Sequence, residues 1–266
     1  MLTAILMEAI SHFLADCTDS NTKFLPTCGG VNNVVFYVER TAGIEHVLRI
    51  YNNGNDTSKV EYEHSVLLQL NKMNLSFSLP ETIRSAESGN SYVTLSNGAC
   101  ACLFKLIPGS LPKLTNVQDI GRVSGELNQA MLRVNLSKMP VKCPNPPYYD
   151  LYKVHHAVTR ELFREKILSA DFDNYRSSAD FILEEICSTE ERIAIYQNVS
   201  PSLPIQLIHG DLHYDNVLCD HGKVTGGSVD CGSKIQQILG PYRLYATLYT
   251  YPDTTNNLLV RRATRF

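Results

Sequence analysis

Two prolines and a glycine fall within the stretch Pro108-Gly109-Ser110-Leu111-Pro112, and the character of the chain changes across it. Proline removes a backbone donor and clashes with a continuing helix, so no regular element is expected to run through this stretch. On its N-terminal side Leu2, Ile5, Leu6, Ala9, Ile10, Phe13 and Leu14 recur at helical spacing. β-rich runs at 34–38 and 46–51 then flank a turn near Gly43, which predicts a hairpin. Val60, Val66, Leu67 and Leu70 mark a second helix, and strand-like runs follow at 91–95 and 100–107. On the C-terminal side the periodicity is helical over 117–132, 151–168 and 180–197. Strand-like Ile-Gln-Leu-Ile (205–208) and Lys-Val-Thr-Gly (223–226) come last. The pattern predicts an α+β chain of two lobes: a small antiparallel sheet within residues 1–107 and a mainly helical lobe over 108–266.

Bulk properties narrow the function. A formal net charge of −3 gives no electrostatic attraction to nucleic acid or to an anionic membrane. No stretch has the roughly 18 uninterrupted apolar residues that a membrane span needs. The eight cysteines form no C-x-x-C pair. A reducing, cytoplasmic setting is therefore expected, rather than a zinc framework or a disulfide scaffold.

The chemistry concentrates in Leu-Ile-His-Gly-Asp-Leu-His-Tyr-Asp-Asn-Val-Leu (207–218), where Asp211 and Asn216 give H-G-D-x-x-x-x-N. The same spacing joins the base and a metal ligand in the catalytic loop of kinases. An aspartate must take the proton of an attacking hydroxyl while an amide oxygen reaches a magnesium ion on the triphosphate. Gly210 and the short polar residues let one loop do both. Zinc held by His209, His213 and Asp215 is the competing reading, but it needs a helix or strand that presents all three on one face. A plain polar turn would leave the spacing of acid and amide unexplained.

With these residues the chain resembles the aminoglycoside phosphotransferase and choline kinase-like superfamily, from about residue 25 to residue 226. Upstream it is most similar to type II homoserine kinases and their relatives. The resemblance implies a bilobal protein-kinase-like fold and transfer of phosphate from ATP, with Mg2+, to the hydroxyl of a small metabolite such as an amino alcohol. It makes Asp211 the base, Asn216 a magnesium ligand and His209 a brace for the loop. Cys-Gly-Gly-Val-Asn-Asn-Val-Val-Phe-Tyr-Val (28–38) resembles the loop that covers the nucleotide, with Gly29, Gly30 and Asn33 at the phosphates. Val-Leu-Arg-Ile-Tyr (47–51) resembles the strand that usually offers a lysine to the phosphates, and Arg49 stands in its place. Glu63 is its expected partner, one helical turn before Leu67 on the apolar stripe; Glu61 is the competitor. Residues 103–109 would be the hinge whose backbone meets the adenine. Tyr148, Tyr149 and Asp150 could meet an ammonium group, although packing is the commoner use of such aromatic residues.

The resemblance weakens after Gly226. Family members carry a second metal-binding aspartate in a segment like V-T-G-V-I-D-F, whereas this chain reads Val-Thr-Gly-Gly-Ser-Val-Asp, which places Asp230 one residue late. A one-residue slip turns a strand side chain to the other face unless a bulge absorbs it, and Gly226-Gly227 is where one could form. The helices that complete the substrate pocket in the family have no clear counterpart, so the C-terminal lobe reads as truncated. Two readings stay open. One is a divergent enzyme in which a bulge restores Asp230. The other, slightly favoured for the tail, is an altered C-terminus after Gly226; the leading expectation for function is still the phosphotransferase, and the alternative is a catalytically impaired kinase-like protein that acts by binding nucleotide or a partner.

Overall fold

A computed structural model of the chain describes residues 2–18, 20–27, 33–41, 43–52, 54–144, 151–154, 157, 159–169, 176–199, 205–210, 212, 216–227 and 234–237. Helix α1 (Leu2–Ser11) leads to β1 (Lys23–Pro26) and to the hairpin β2 (Asn33–Arg40) and β3 (Gly43–Tyr51). Helix α2 (Ser58–Leu70) follows, and then β4 (Thr82–Ile83), β5 (Val93–Thr94) and β6 (Cys100–Lys105). These strands form one antiparallel sheet of order β1-β2-β3-β6-β4, with β5 paired to the other half of the β6 edge. The hairpin lies where the sequence predicts it. The short edge strands β1 and β4 are additions, and only Val93–Thr94 of the expected run at 91–95 pairs as strand.

Strand β6 shows how the core is divided. Side chains alternate along a strand, so Cys100, Cys102 and Phe104 face one way and Ala101 and Leu103 the other, and all five are buried. Helix α1 closes the second face with Leu6, Ala9 and Ile10, and Phe13 in the turn after it, against Leu48, Ile50, Ala101 and Leu103. The Glu8 carboxylate fastens this helix by accepting from the Ser96 backbone N–H at 2.5 Å and hydroxyl at 2.7 Å. Helix α2 closes the first face with Val60, Val66, Leu67 and Leu70 against Tyr51, Cys102 and Phe104. By the same alternation β3 sends Leu48 and Ile50 towards α1 and leaves Arg49 and Tyr51 on the α2 side.

Beyond the proline-rich stretch, α3 (Val117–Leu132) has the predicted limits and buries Val123, Leu127, Ala130 and Met131 in the core that α2 also lines. The single helix expected over 151–168 is instead α4 (Leu151–Val154) and α5 (Arg160–Ser169). The reason is a new start: the Thr159 hydroxyl accepts from the Leu162 N–H at 3.1 Å, as an N-cap does. Helix α6 (Arg176–Val199) begins earlier than expected, where Arg176 donates to Asp180 at 2.8 Å and to the Ile167 carbonyl at 3.0 Å. Two antiparallel pairs follow: β7 (Ile205–Ile208) with β10 (Lys234–Gln237), and β8 (Val217–Asp220) with β9 (Lys223–Gly227). Strand β10 has no apolar alternation and no counterpart among the strands that the sequence predicts. Among the described residues no helix is long and apolar enough to cross a membrane.

The β8–β9 hairpin is stitched to the earlier part of the chain. Ser110 and Cys219 exchange backbone hydrogen bonds at 2.9 and 2.8 Å; Ser78 donates to Thr225 at 2.8 Å and accepts from Gly227 at 3.1 Å. Asp119, in the first turn of α3, accepts from the Val224 N–H at 2.7 Å. Gly226 pairs with Leu218 and Val224 with Cys219, so Thr225 is the extra residue of a bulge. This bulge lies one residue before the expected place, because Ser78 takes the Thr225 carbonyl and the Thr225 hydroxyl donates to the Pro108 carbonyl at 2.7 Å. A Cβ on Gly226 would meet Ile107 Cγ2 at 2.5 Å and the Ser78 carbonyl at 3.1 Å. Gly226→Ala is expected to cost about 1–3 kcal/mol in urea unfolding through this overpacking. Gly121→Ala on α3, where a Cβ meets nothing within 4 Å, should instead stabilise by about 0.5–1 kcal/mol.

Candidate functional site

The loop with the acid-and-amide spacing runs between β7 and β8. Leu207 anchors β7 in the core, His209 follows it at 4% exposure, and Gly210 takes φ 82°, a left-handed conformation that a residue with a Cβ rarely adopts. Asn216 ends the loop just before Val217 opens β8 and is half-buried. Asp211, His213 and Asp215 lie outside the described residues, as does Asp230. The strands on either side of them are paired. Ile208, before the loop, pairs with Lys234; Val217, after it, pairs with Gly227. Residues 228–233, which contain Asp230, therefore join two points that pair with the two ends of the loop.

On the α2 side of the sheet, Arg49 donates to Glu63 at 2.8 Å. Their side chains are 14% and 2% exposed, so the pair is largely removed from water. The guanidinium carbon lies 5.6 Å from the centre of the Tyr51 ring and 5.3 Å from that of Phe104. Such cation–π contacts contribute about 0.5–2 kcal/mol each, more when desolvated. Glu61 has another use: it accepts from the Thr57 hydroxyl at 2.9 Å and from the Tyr92 hydroxyl at 2.8 Å. Between the expected partner and its competitor, the ion pair belongs to Glu63.

His64, the next residue, is not among the site positions expected from the sequence. Its Nδ1 lies 2.7 Å from the Ser91 hydroxyl, and its Nε2 lies 3.4 Å from the Tyr51 hydroxyl and 3.5 Å from Cys102 Sγ. Burial first, and the Arg49 charge second, push its imidazole down to about 4. Burial likewise raises the Cys102 thiol well above its ordinary value. A signal was present: His64 falls four residues after Val60 and three before Leu67, a helical stripe whose other members are apolar.

The remaining expected positions are spread along the chain. Asn33 opens β2 opposite Tyr51, and its side-chain oxygen accepts from the Asn52 N–H at 3.4 Å. Gly29 and Gly30 lie outside the described residues, as do Tyr148, Tyr149 and Asp150. In the expected hinge, the Leu106 N–H donates to Glu45 at 2.8 Å and the Pro108 carbonyl accepts from Thr225, so both groups are already engaged. Among the described residues no group of three or more His, Cys, Asp or Glu is placed to hold a metal ion.

A family model described as "Phosphotransferase enzyme family" matches residues 24–226. No curated protein sequence matches the chain significantly. Among solved structures, a mutant aminoglycoside 2'-phosphotransferase-IIIa in complex with GDP is similar with a TM-score of 0.59 at 15% identity, over 89% of this chain and 72% of its own. A microcompartment-associated aminopropanol kinase gives 0.58 at 17% identity, over 88% and 71%. An amicoumacin kinase in complex with AMP-PNP, Ca2+ and its ligand gives 0.54 at 14% identity, over 85% and 61%. These likenesses show the fold: an antiparallel-sheet lobe followed by a helical lobe, as in these kinase-like phosphotransferases.

Two measurements test the geometry around Arg49. Glu63→Gln leaves a buried arginine without its charge partner and should cost about 3 kcal/mol in urea unfolding. For His64, both the folded and the unfolded chain are neutral at that residue above pH 6.5. As pH falls, the unfolded imidazole takes a proton that the folded one accepts only near pH 4, so stability drops across this window. The wild-type chain should lose about 2 kcal/mol more than His64→Leu between pH 7 and pH 5. Parallel slopes for the two proteins would contradict a buried neutral His64.

Proposed function

Because this chain belongs to the family of phosphotransferase enzymes matched over residues 24–226, we propose that it transfers the terminal phosphoryl group of ATP, in a magnesium-dependent reaction, to the hydroxyl of a small amino alcohol. The observation that carries this reading is the Arg49–Glu63 pair. Phosphoryl transfer asks a protein mainly for positioning and for fixed positive charge, and an arginine held by a carboxylate and two rings supplies both. Arg49 would take the oxygens of the α- and β-phosphates, with Glu63 setting its direction. Gly29, Gly30 and the residues before Asn33 would offer backbone amides to the same phosphates.

Asp211 accepts the proton of the acceptor hydroxyl in this reading, and His209 holds the start of its loop in the core. The donor set for a divalent ion would be Asn216 and Asp230, oxygen ligands of the kind magnesium prefers. Magnesium held by these residues would supply positive charge to the transferring phosphoryl group. The pairing of Gly227 with Val217 and of Lys234 with Ile208, on the two sides of the 209–216 loop, supports including Asp230. The bulge at Thr225 shifts the phase of β9 against β8 by one residue.

The division between a nucleotide lobe at 1–107 and a helical lobe at 108–266 fits the proline-rich stretch. The acceptor class follows two of the similar structures, an aminopropanol kinase, named for an amino alcohol, and an aminoglycoside phosphotransferase, named for amino-bearing sugars. Homoserine and choline-like compounds belong to the same class. An ATP-dependent enzyme with buried thiols at Cys100, Cys102 and Cys219 suits a reducing cytoplasm. In an assay with ATP, magnesium and a panel of amino alcohols, wild-type turnover is expected, and Asp211→Asn should lower kcat by about 100-fold or more. Absence of magnesium-dependent ATP binding by the wild-type chain would sink the reading and favour a non-catalytic kinase-like protein.

A further inference from the structure

Arg49 rests on two rings, and both rings meet a third. The Tyr51 and Phe104 rings lie edge-to-face against His64, at 6.4 Å and 66° and at 5.8 Å and 87°. Tyr92 packs on the imidazole in the same manner at 6.4 Å. The histidine is fixed in turn by the Ser91 hydroxyl at 2.7 Å, and its other nitrogen looks towards the Tyr51 hydroxyl and Cys102 Sγ. Strand register explains the convergence. Cys102 pairs with Arg49 across β3 and β6, and Tyr51 and Phe104 stand two residues from each of them on the same face. His64 is thus packed beneath the very side chains that orient the guanidinium, while Glu63, one residue back on α2, holds the guanidinium itself. Edge-to-face packing prefers a definite mutual tilt, so moving the imidazole changes the ring faces presented to Arg49.

We propose that His64 is a positioning residue for Arg49, setting the Tyr51 and Phe104 rings that, with Glu63, aim the guanidinium at a nucleotide's phosphates. The role requires an uncharged ring, because a second cation beneath the guanidinium would repel it. Burial and the Arg49 charge keep the imidazole neutral at ordinary pH. Ser91 belongs to the same device, since its hydroxyl orients the imidazole. The part that concerns phosphates rests on the reading of Arg49 given above, whereas the part that concerns the arginine's placement does not.

Two measurements separate these parts. Without nucleotide, the Arg49 Nε–Hε signal, assigned by its disappearance in Arg49→Lys, reports how firmly the guanidinium is held. Its hydrogen exchange should quicken about tenfold in His64→Leu and by less in Ser91→Ala, in line with the loss of an orienting contact. Ser91→Ala, which leaves the buried ring in place, keeps the test available if His64→Leu fails to fold. Unchanged Arg49 exchange in a folded variant of both kinds would overturn the proposal. With nucleotide, binding of magnesium AMP-PNP should weaken about tenfold in His64→Leu but hardly further when the same change is made in Arg49→Ala, the coupling expected of residues that act through one another. Equal weakening in both backgrounds would mean that His64 only supports the fold, and would also overturn it. If Arg49→Ala leaves AMP-PNP binding intact, the phosphate role of Arg49 falls, and the exchange measurement still decides whether His64 places it.

Discussion

Burial of both faces of β6 is the constraint on which the rest of the structure depends. A strand covered on one side only can hide apolar residues and leave polar ones in water. This one has α1 on one side and α2 with α3 on the other, so every residue from Cys100 to Phe104 is inside. The cysteines and alanine in Cys-Ala-Cys-Leu-Phe let two layers approach the same strand closely. Its neighbour β3 is drawn into the same arrangement, and Arg49 lands between sheet and helix, where a guanidinium cannot stay unless its charge is met. Desolvating two charges costs more than their attraction returns unless the geometry is good. Here a 2.8 Å contact, two ring faces and an interior position for Glu63 supply that geometry. The ion pair is thus a product of sheet coverage as well as a candidate for function.

Much of this was legible in the sequence because it depends on local periodicity. Val123, Leu127, Ala130 and Met131 follow one another at helical intervals, and α3 has the limits that they imply. Glu63 could be preferred to Glu61 because only Glu63 lies a turn before Leu67 on the apolar stripe. What escaped depends on partners distant in the chain. Strands β1, β4 and β10 are two to four residues long and exist because a neighbouring edge pairs with them. His64 looked like any helix residue, since its role comes from Ser91, Cys102 and Phe104, which other elements deliver. The bulge lies at Thr225 for a similar reason: its carbonyl accepts from the backbone of Ser78, far upstream. The break at Thr159 was a local signal that a long apolar periodicity had masked.

The stitching of the β8–β9 hairpin has a consequence for how the molecule comes together. Ser110 and Cys219 are 109 residues apart in sequence, and the bonds between Ser78 and the Thr225–Gly227 segment span a still longer interval. Contacts of such separation are among the slowest to form, because a long loop must be closed before they return any energy. The sheet, built from neighbours in sequence, can be complete while the chain beyond Pro112 is still being made. The 209–216 loop cannot, for the strand that ends it is held by residues that must already be in place. Contact order therefore favours an assembly ordered in time: the arginine and its carboxylate are set early, and the β8–β9 hairpin is among the last parts to be secured.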